Sequence, residues 1–186
     1  ELLEQRVHEQ ATLLAISHTL ASTLELQPVL ILDQLHEIIE YTHGGLFALE
    51  GSTLVTLAVR GQETMDPSVP IHVRLDTPEI IEALLNKHLP IRIADVWSDD
   101  RQAQFLRSIL AGVAAELLDG MQSWMWVPLA VQGRLIGGIG MAHRKLDYFT
   151  SHHADLTLSV ANQAAITMIN TELNGQAQTL AVLQER

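Results

Sequence analysis

The chain has 186 residues, of which 47% are hydrophobic and 18% are charged, so we expect one folded domain with accessory segments rather than an intrinsically disordered chain. Its 11 basic and 22 acidic residues give a formal net charge of −11, which disfavours binding to nucleic acid because the phosphate backbone is also negative. Cysteine is absent, which excludes disulfides, thiolate metal sites, thioether-linked chromophores and thiol redox catalysis.

Neither a membrane span nor an export signal is predicted from the sequence. The longest uncharged run falls short of the ~20 apolar residues that a bilayer span requires. The N-terminus begins with Glu1 and lacks a basic stretch followed by an apolar one. We therefore expect a cytoplasmic piece of a longer polypeptide, with no membrane insertion by this part of it.

The first predicted element is a helix over residues 2–26. Its apolar residues Leu3, Val7 and Leu14 recur at steps of four and seven, which is the spacing of a coiled-coil seam. Pro28 then suits the first turn of a second helix. We interpret residues 1–26 as a signalling and dimerisation helix that leads into the domain.

The middle of the chain mixes strand and helix patterns. Gly44-Gly45 ends the second helix, and apolar runs bounded by turn residues then predict strands. Thr77-Pro78-Glu79 has the residues typical of a helix start. The predicted elements are, in order, strands over 46–50 and 54–59, a loop with a short edge strand over 61–76, a helix over 77–87 and a strand over 91–96.

The last third of the chain contains the clearest hairpin. Residues 97–122 form a connection with a helical stretch, and strands over 123–131 and 135–142 flank a turn at Gln132-Gly133-Arg134. Thr150 can cap a final helix that runs to the end of the chain. The seam of this helix consists of Ile166, Ile169, Leu173, Leu180 and Leu183.

The order of these elements predicts an α+β fold with a central antiparallel sheet of about five to six strands and the terminal helices on one face. Residues 27–165 would form the core. Residues 166–186 would continue as a coiled-coil linker to an output domain. The two helical seams predict a homodimer.

The hairpin and the start of the last helix resemble those of GAF domains. The strand end Val127-Pro128-Leu129, the glycine turn at Gly133 and the strand Leu135-Ile136-Gly137 follow the family's order, and Ala161-Asn162-Gln163 resembles its closing helix. The resemblance covers roughly residues 10–175. It implies a non-catalytic sensor with a small-molecule pocket on the face opposite the helices, in a bacterial signalling protein of the sensor histidine kinase type or a cyclase.

The family resemblance also narrows the range of possible ligands. Bilin-binding members usually attach the chromophore through cysteine, so a covalent bilin is excluded. Cyclic-nucleotide-binding members carry Asn-Lys, then Phe, then Asp-Glu, whereas Arg144-Lys145 and Phe149 are followed by His153 at the position of the acid. Adjacent His152 and His153 point about 100° apart on a helix, which argues against a shared metal ion.

Trp124 and Trp126 are the most informative residues. Strand alternation places both indoles on one face, and the resemblance assigns that face to the pocket. The same alternation places residues of neighbouring strands on this face, and residues of the 97–122 connection are predicted to cover the pocket as a lid. The predicted neighbours are Leu46, Ala48, Gly140 and Ala142, and the predicted lid residues are Trp97, Phe105, Ile109 and Leu110.

Two interpretations of the indoles remain open: they line an apolar pocket that suits a small aromatic or planar ligand, or they fill a closed core. We predict a sensory and dimerisation domain that binds an unknown small molecule and relays the signal through its terminal helices. The alternatives are a ligand-free dimerisation module and a redox or gas sensor in which one histidine holds haem.

Overall fold

The computed structural model describes residues 2–22, 28–61, 71–75 and 88–184. Its helices are α1 (Leu2–Ser22), α2 (Pro28–Ile38), α3 (Arg101–Ile109), a 3-10 helix (Gly112–Leu118) and α4 (Ser151–Gln184). Its strands are β1 (His43–Glu50), β2 (Thr53–Arg60), β3 (His72–Arg74), β4 (Ile91–Ile93), β5 (Ser123–Val131) and β6 (Arg134–His143). The helix predicted over residues 77–87 lies outside the described residues.

These strands form one antiparallel sheet in the order β3-β2-β1-β6-β5-β4. The predicted α+β fold and strand number are therefore confirmed. The β5–β6 hairpin closes at Gln132 and Gly133, whose φ angles of 51° and 76° are those of the tight turn that suits the twist of a hairpin.

Several predicted elements differ in length; the second helix ends at Ile38, and the strand predicted over 46–50 begins at His43. The strand predicted over 91–96 ends at Ile93, and the helical stretch of the connection ends at Ile109 before a separate 3-10 helix. The main-chain N–H of Leu110 still bonds the oxygen of Leu106 at 3.0 Å, but Gly112, with a φ of 78°, follows two residues later. Ala111, between them, is already extended, with φ −71° and ψ 153°, so the α-helix ends before the glycine.

The sheet separates two hydrophobic cores because successive side chains of a strand point to opposite faces. The helix-side core joins the sheet to α2 and α4 and includes Ile31, Leu35, Leu46, Met125, Val127 and Ala161. The cavity-side core joins the other face to α3 and the 3-10 helix and includes Phe47, Ile93, Leu106, Leu117, Trp124 and Trp126. Each fully buried aliphatic side chain stabilises the fold by about 1.5–3 kcal/mol.

The two terminal helices are joined at the start of α4. Thr150 caps that helix as predicted, since its Oγ1 accepts a hydrogen bond from the His153 N–H at 3.2 Å. The next contact fixes α1, because His152 Nε2 lies 2.7 Å from the carboxylate of Glu9, a residue that is only 9% exposed. None of the described helices is both long and apolar enough to cross a membrane.

Candidate functional site

A cavity of about 580 Å³, the main cavity, lies on the face of the sheet opposite α2 and α4. Its walls come from β4, β5 and α3, with single residues from β1, β2 and β3 and two residues from the loop after β6. This volume is in the range of small-molecule sites. Among the described residues, the lining side chains are apolar or aromatic except for Arg92, Gln102 and Asp147.

Trp124 and Trp126 both line the main cavity and are each only 5% exposed. The predicted face of these indoles is therefore correct. The indole N–H of Trp126 is buried and has no hydrogen-bond partner among the described residues. An unpaired buried donor of this kind costs about 1–3 kcal/mol.

Glycines on β6 leave room for the two indoles. A Cβ on Gly140 would lie 2.7 Å from Cζ2 of Trp124, and a Cβ on Gly138 would lie 2.7 Å from Cε2 of Trp126. Both distances are too short for real atoms, so the indoles lie across positions that have no side chain. The groups that approach these glycines are aromatic rings of the neighbouring strand.

Three of the four residues predicted as a lid border the main cavity. Phe105, Ile109 and Leu110 lie on α3 or at its end and line the main cavity. Trp97 does not: it is 50% exposed, and its indole N–H donates a hydrogen bond to the main-chain oxygen of Met121 at 2.6 Å. Trp97 therefore pins the connection before α3 to the start of the hairpin.

The predicted face of β1 is wrong. Leu46 pairs with Ile139 and lies in the helix-side core, while Phe47 lines the main cavity. Ala48 is half-buried and is not among the lining residues. The apolar run from Leu46 to Leu49 carries no alternation, so its facing is set by the register with β6, which the sequence alone does not give.

Gly140 and Ala142 lie on the predicted face but do not line the main cavity. They pair with Trp126 and Trp124, respectively, across β5 and β6. Paired residues share a face of the sheet, and Ala142 belongs to the cavity-side core. Because the indole of Trp124 covers Gly140, we place both residues beneath the cavity floor.

The sequence did not predict the contribution of β4. Residues 89–94 all line the main cavity, together with Asp147 and Phe149 of the loop after β6. The guanidinium of Arg92 donates a hydrogen bond to the main-chain oxygen of Phe149 at 3.1 Å and so joins the strand to this loop. A strand of three residues has too few positions for a hydrophobic pattern to mark its role.

A second cavity, too small to hold a water molecule, lies beside the main cavity and shares Phe47 and Trp124 with it. His43, which is 4% exposed, borders this cavity and bonds the main-chain oxygen of Leu117 through Nδ1 at 3.2 Å. Because a carbonyl oxygen only accepts, Nδ1 carries a proton, and the buried Nε2 has no hydrogen-bond partner among the described residues. The sequence treated His43 as part of a helix, whereas it begins β1.

Aromatic rings stack near the start of α4, on the helix side of the sheet. His143 lies on Tyr148 with ring centroids 3.6 Å apart, and His153 lies 5.3 Å from Tyr148. Burial lowers the pKa of His143, and the charge of Lys145 lowers it further. Burial, followed by the charge of His152, lowers the pKa of His153. Both imidazoles are therefore favoured in the neutral form.

Metal ligands are not clustered in the part of the chain that the structure describes: no three His, Asp or Glu side chains there are placed to hold an ion together. Histidine is also absent from the described residues that line the main cavity. What the main cavity offers is a flat aromatic floor, an apolar lid and a polar strand edge.

The α+β architecture agrees with the family that this sequence matches. The model of the GAF domain matches residues 8–168. The chain belongs to the GAF domain family. No protein of curated function has a matching sequence.

Among solved structures, this GAF domain is similar to phytochromes. It superimposes on the bacteriophytochrome RpBphP3 from the photosynthetic bacterium R. palustris with a TM-score of 0.70 at 12% identity, over 95% of this chain and 40% of the other. It also superimposes on the phycoerythrobilin-bound GAF domain from a cyanobacterial phytochrome with a TM-score of 0.69 at 14% identity, over 90% of this chain and 97% of the other. The chain thus spans well under half of the bacteriophytochrome's length.

Proposed function

We propose that this GAF domain is a sensory module that binds a small, flat, largely apolar molecule in the main cavity. The observation that carries the proposal is the cavity of about 580 Å³ floored by Trp124 and Trp126. A collapsed core would leave no such volume beside two large aromatic side chains. The likeness to a phycoerythrobilin-bound GAF domain supports a planar ligand, and without cysteine this chain would hold it non-covalently.

A signal from the main cavity would reach the helices through β5, because one face of this strand borders the cavity and the other packs against the helices. Trp124 and Trp126 line the main cavity. The alternate residues of the strand, Met125 and Val127, pack with α4 in the helix-side core. A ligand that favours one position of β5 would bias the packing of α4 on the other face. Beyond Ala165, which is fully buried, the helix continues to Gln184, which supports a role as a linker to an output domain.

We further propose a homodimer through α1 and α4. Leu3 is 78% exposed and Val7 is 63% exposed on α1, and Ile166 and Leu183 are also exposed on α4. Ile169 is half-buried, and the side chains of Leu14, Leu173 and Leu180 lie outside the described set. Apolar residues at seam spacing that a single chain leaves exposed are what a second copy would cover.

The two alternatives differ in their support. A ligand-free dimerisation module needs only the helical seams, and ligand binding decides between it and our proposal. A haem sensor needs an axial ligand, and the described lining of the main cavity offers no histidine. A cytoplasmic site of action and an output domain of the kinase or cyclase type remain parts of the proposal.

A blocking variant tests ligand binding in the main cavity. Ile109→Trp places a larger side chain into the cavity from α3, and Gln104→Trp, on the exposed side of the same helix, is its control. A metabolite at 100 times its Kd should raise the Tm by about 5–10 °C, from a stabilisation of about 2.7 kcal/mol. The rise should persist in Gln104→Trp and vanish in Ile109→Trp; equal rises in both would place the ligand elsewhere.

A further inference from the structure

The main cavity runs along the outer edge of β4. Residues 89–94 line it without a gap, although successive side chains of a strand point to opposite faces. Ile93 belongs to the cavity-side core, whereas Phe149, which bonds the Arg92 side chain, belongs to the helix-side core. A cavity that meets both faces of one strand must pass around its edge, and β4 is the last strand in the sheet order.

The hydrogen bonds of β6 show which main-chain groups reach that edge. Within a strand, the N–H and C=O of one residue point to one neighbouring strand, and those of the next residue point to the other. The N–H of Thr42 bonds the oxygen of Ala142 at 2.8 Å, so Ala142 faces β1. The N–H of Gln122 bonds the oxygen of His143 at 2.8 Å, so His143 faces β5.

The same alternation can be followed across the sheet. By this alternation Met141 also faces β5, and its partner in the register, Met125, faces back toward β6. The preceding residue of β5, Trp124, therefore faces β4 and pairs with Ile93. Arg92, one residue earlier on β4, must direct its N–H and C=O away from β5, toward the outer edge, where the N–H of Asp147 bonds the oxygen of Ala94 at 2.9 Å.

By this alternation the N–H and C=O of Arg92 take no part in the ladder with β5, and outside the ladder they bond no described residue, whereas the guanidinium bonds Phe149. Unpaired main-chain groups at a strand edge require water, another chain or a ligand. The charged residues of the described lining, Arg92 and Asp147, have opposite signs. The surroundings of the edge therefore favour a ligand without net charge.

We propose that the ligand pairs edge-on with the N–H and C=O of Arg92 while its ring contacts the aromatic floor. This inference rests on the proposed function and names its ligand class: an uncharged flat heteroaromatic molecule whose rim carries a donor next to an acceptor, as a lactam does. The lactam C=O accepts from the Arg92 N–H, and the lactam N–H donates to the Arg92 C=O.

Three bicyclic probes of nearly equal size separate the contribution of edge pairing from that of ring contact with the aromatic floor. 2-Quinolone carries the lactam edge, quinoline carries an acceptor alone, and naphthalene carries neither. Affinity should fall in that order, with 2-quinolone at least about tenfold tighter than naphthalene. In ¹⁵N-labelled protein, the amide proton of Arg92 should move downfield with 2-quinolone and stay in place with naphthalene.

Two variants at the same position isolate the main-chain donor. Arg92→Ala removes the guanidinium and keeps the N–H, whereas Arg92→Pro removes both. Because the N–H points away from the sheet, proline removes no bond between strands there. The Kd of 2-quinolone should be about tenfold higher in Arg92→Pro than in Arg92→Ala. If the proline variant fails to fold, the Arg92 amide shift of the unaltered chain decides the question.

The outcomes separate this inference from the proposed function. Equal affinities for the three probes, with shifted indole resonances of Trp124 and Trp126 and an unmoved Arg92 amide, would overturn the edge pairing and leave the cavity as a binding site. Indole resonances unmoved by every probe up to its solubility limit would overturn the proposed function and the edge pairing together.

Discussion

The indole of Trp126 lies across Gly138 of the neighbouring strand, so closely that a Cβ on the glycine would come within 2.7 Å of the indole Cε2. The glycine therefore sets how deep the floor of the main cavity is. A larger residue at this position would push the ring away from the sheet and into the space that we assign to the ligand.

Gly138→Ala should destabilise the fold by about 1–3 kcal/mol, the usual range for forcing extra atoms into a packed site. Urea unfolding monitored by circular dichroism measures the loss. The same substitution in a Trp126→Ala background should cost less, because the ring that the new methyl group meets is gone. A cost that is unchanged between the two backgrounds would show that the Trp126–Gly138 contact is not its cause.

Acid should weaken the fold through buried imidazoles. Because burial lowers the pKa of His143 and of His153 below the value of about 6.5 in an unfolded chain, the unfolded state binds protons first as the pH falls. The free energy of unfolding should therefore be highest above pH 6.5 and decline below it. Each ring also accepts a main-chain N–H through Nδ1, from Lys145 and Thr150 respectively, and protonation would break those bonds.

His153→Gln should make the Tm less sensitive to pH between 7.5 and 5.5. His72→Gln is the control, because His72 is exposed on β3 and its replacement should leave the pH dependence unchanged. Thermal unfolding in buffers of equal ionic strength makes the comparison. An identical decline in both variants would assign the acid sensitivity to other groups.

The proposed dimer makes a direct prediction for α1. Leu3→Glu should weaken self-association at least about tenfold, since it removes an apolar side chain worth about 1.5–3 kcal/mol when buried and adds a charge at the seam. Gln5→Glu adds the same charge to an exposed position two residues away, which faces another side of the helix. Sedimentation equilibrium should show weaker association for Leu3→Glu alone; a monomeric unaltered chain would contradict the dimer.

Some features of this domain could be predicted from the sequence because they depend on local pattern. The hairpin turn at Gln132-Gly133, the cap at Thr150 and the shared face of Trp124 and Trp126 each follow from a few neighbouring residues. The predicted face of Leu46 was wrong because the pairing of β1 with β6 joins residues more than 90 positions apart, and nothing local fixes that register.

The polar edge of the main cavity shows the same limit. Arg92 looks like an ordinary exposed residue of a short strand, and its importance comes from the position of β4 at the end of the sheet order. Trp97 shows the reverse: aromatic character suggested a lid residue, whereas its indole N–H bonds Met121 and the ring lies half in solvent. Burial and strand order are properties of the whole fold.

Indole fluorescence in a Trp97→Phe variant tests the central claim most directly. This substitution removes the half-exposed indole and leaves Trp124 and Trp126, both on the floor of the main cavity, as the emitting tryptophans. Every compound that raises the Tm of the variant should also shift or quench this emission as it binds over the rings. Compounds that raise the Tm and leave the emission unchanged would contradict the assignment of the cavity as the sensory site.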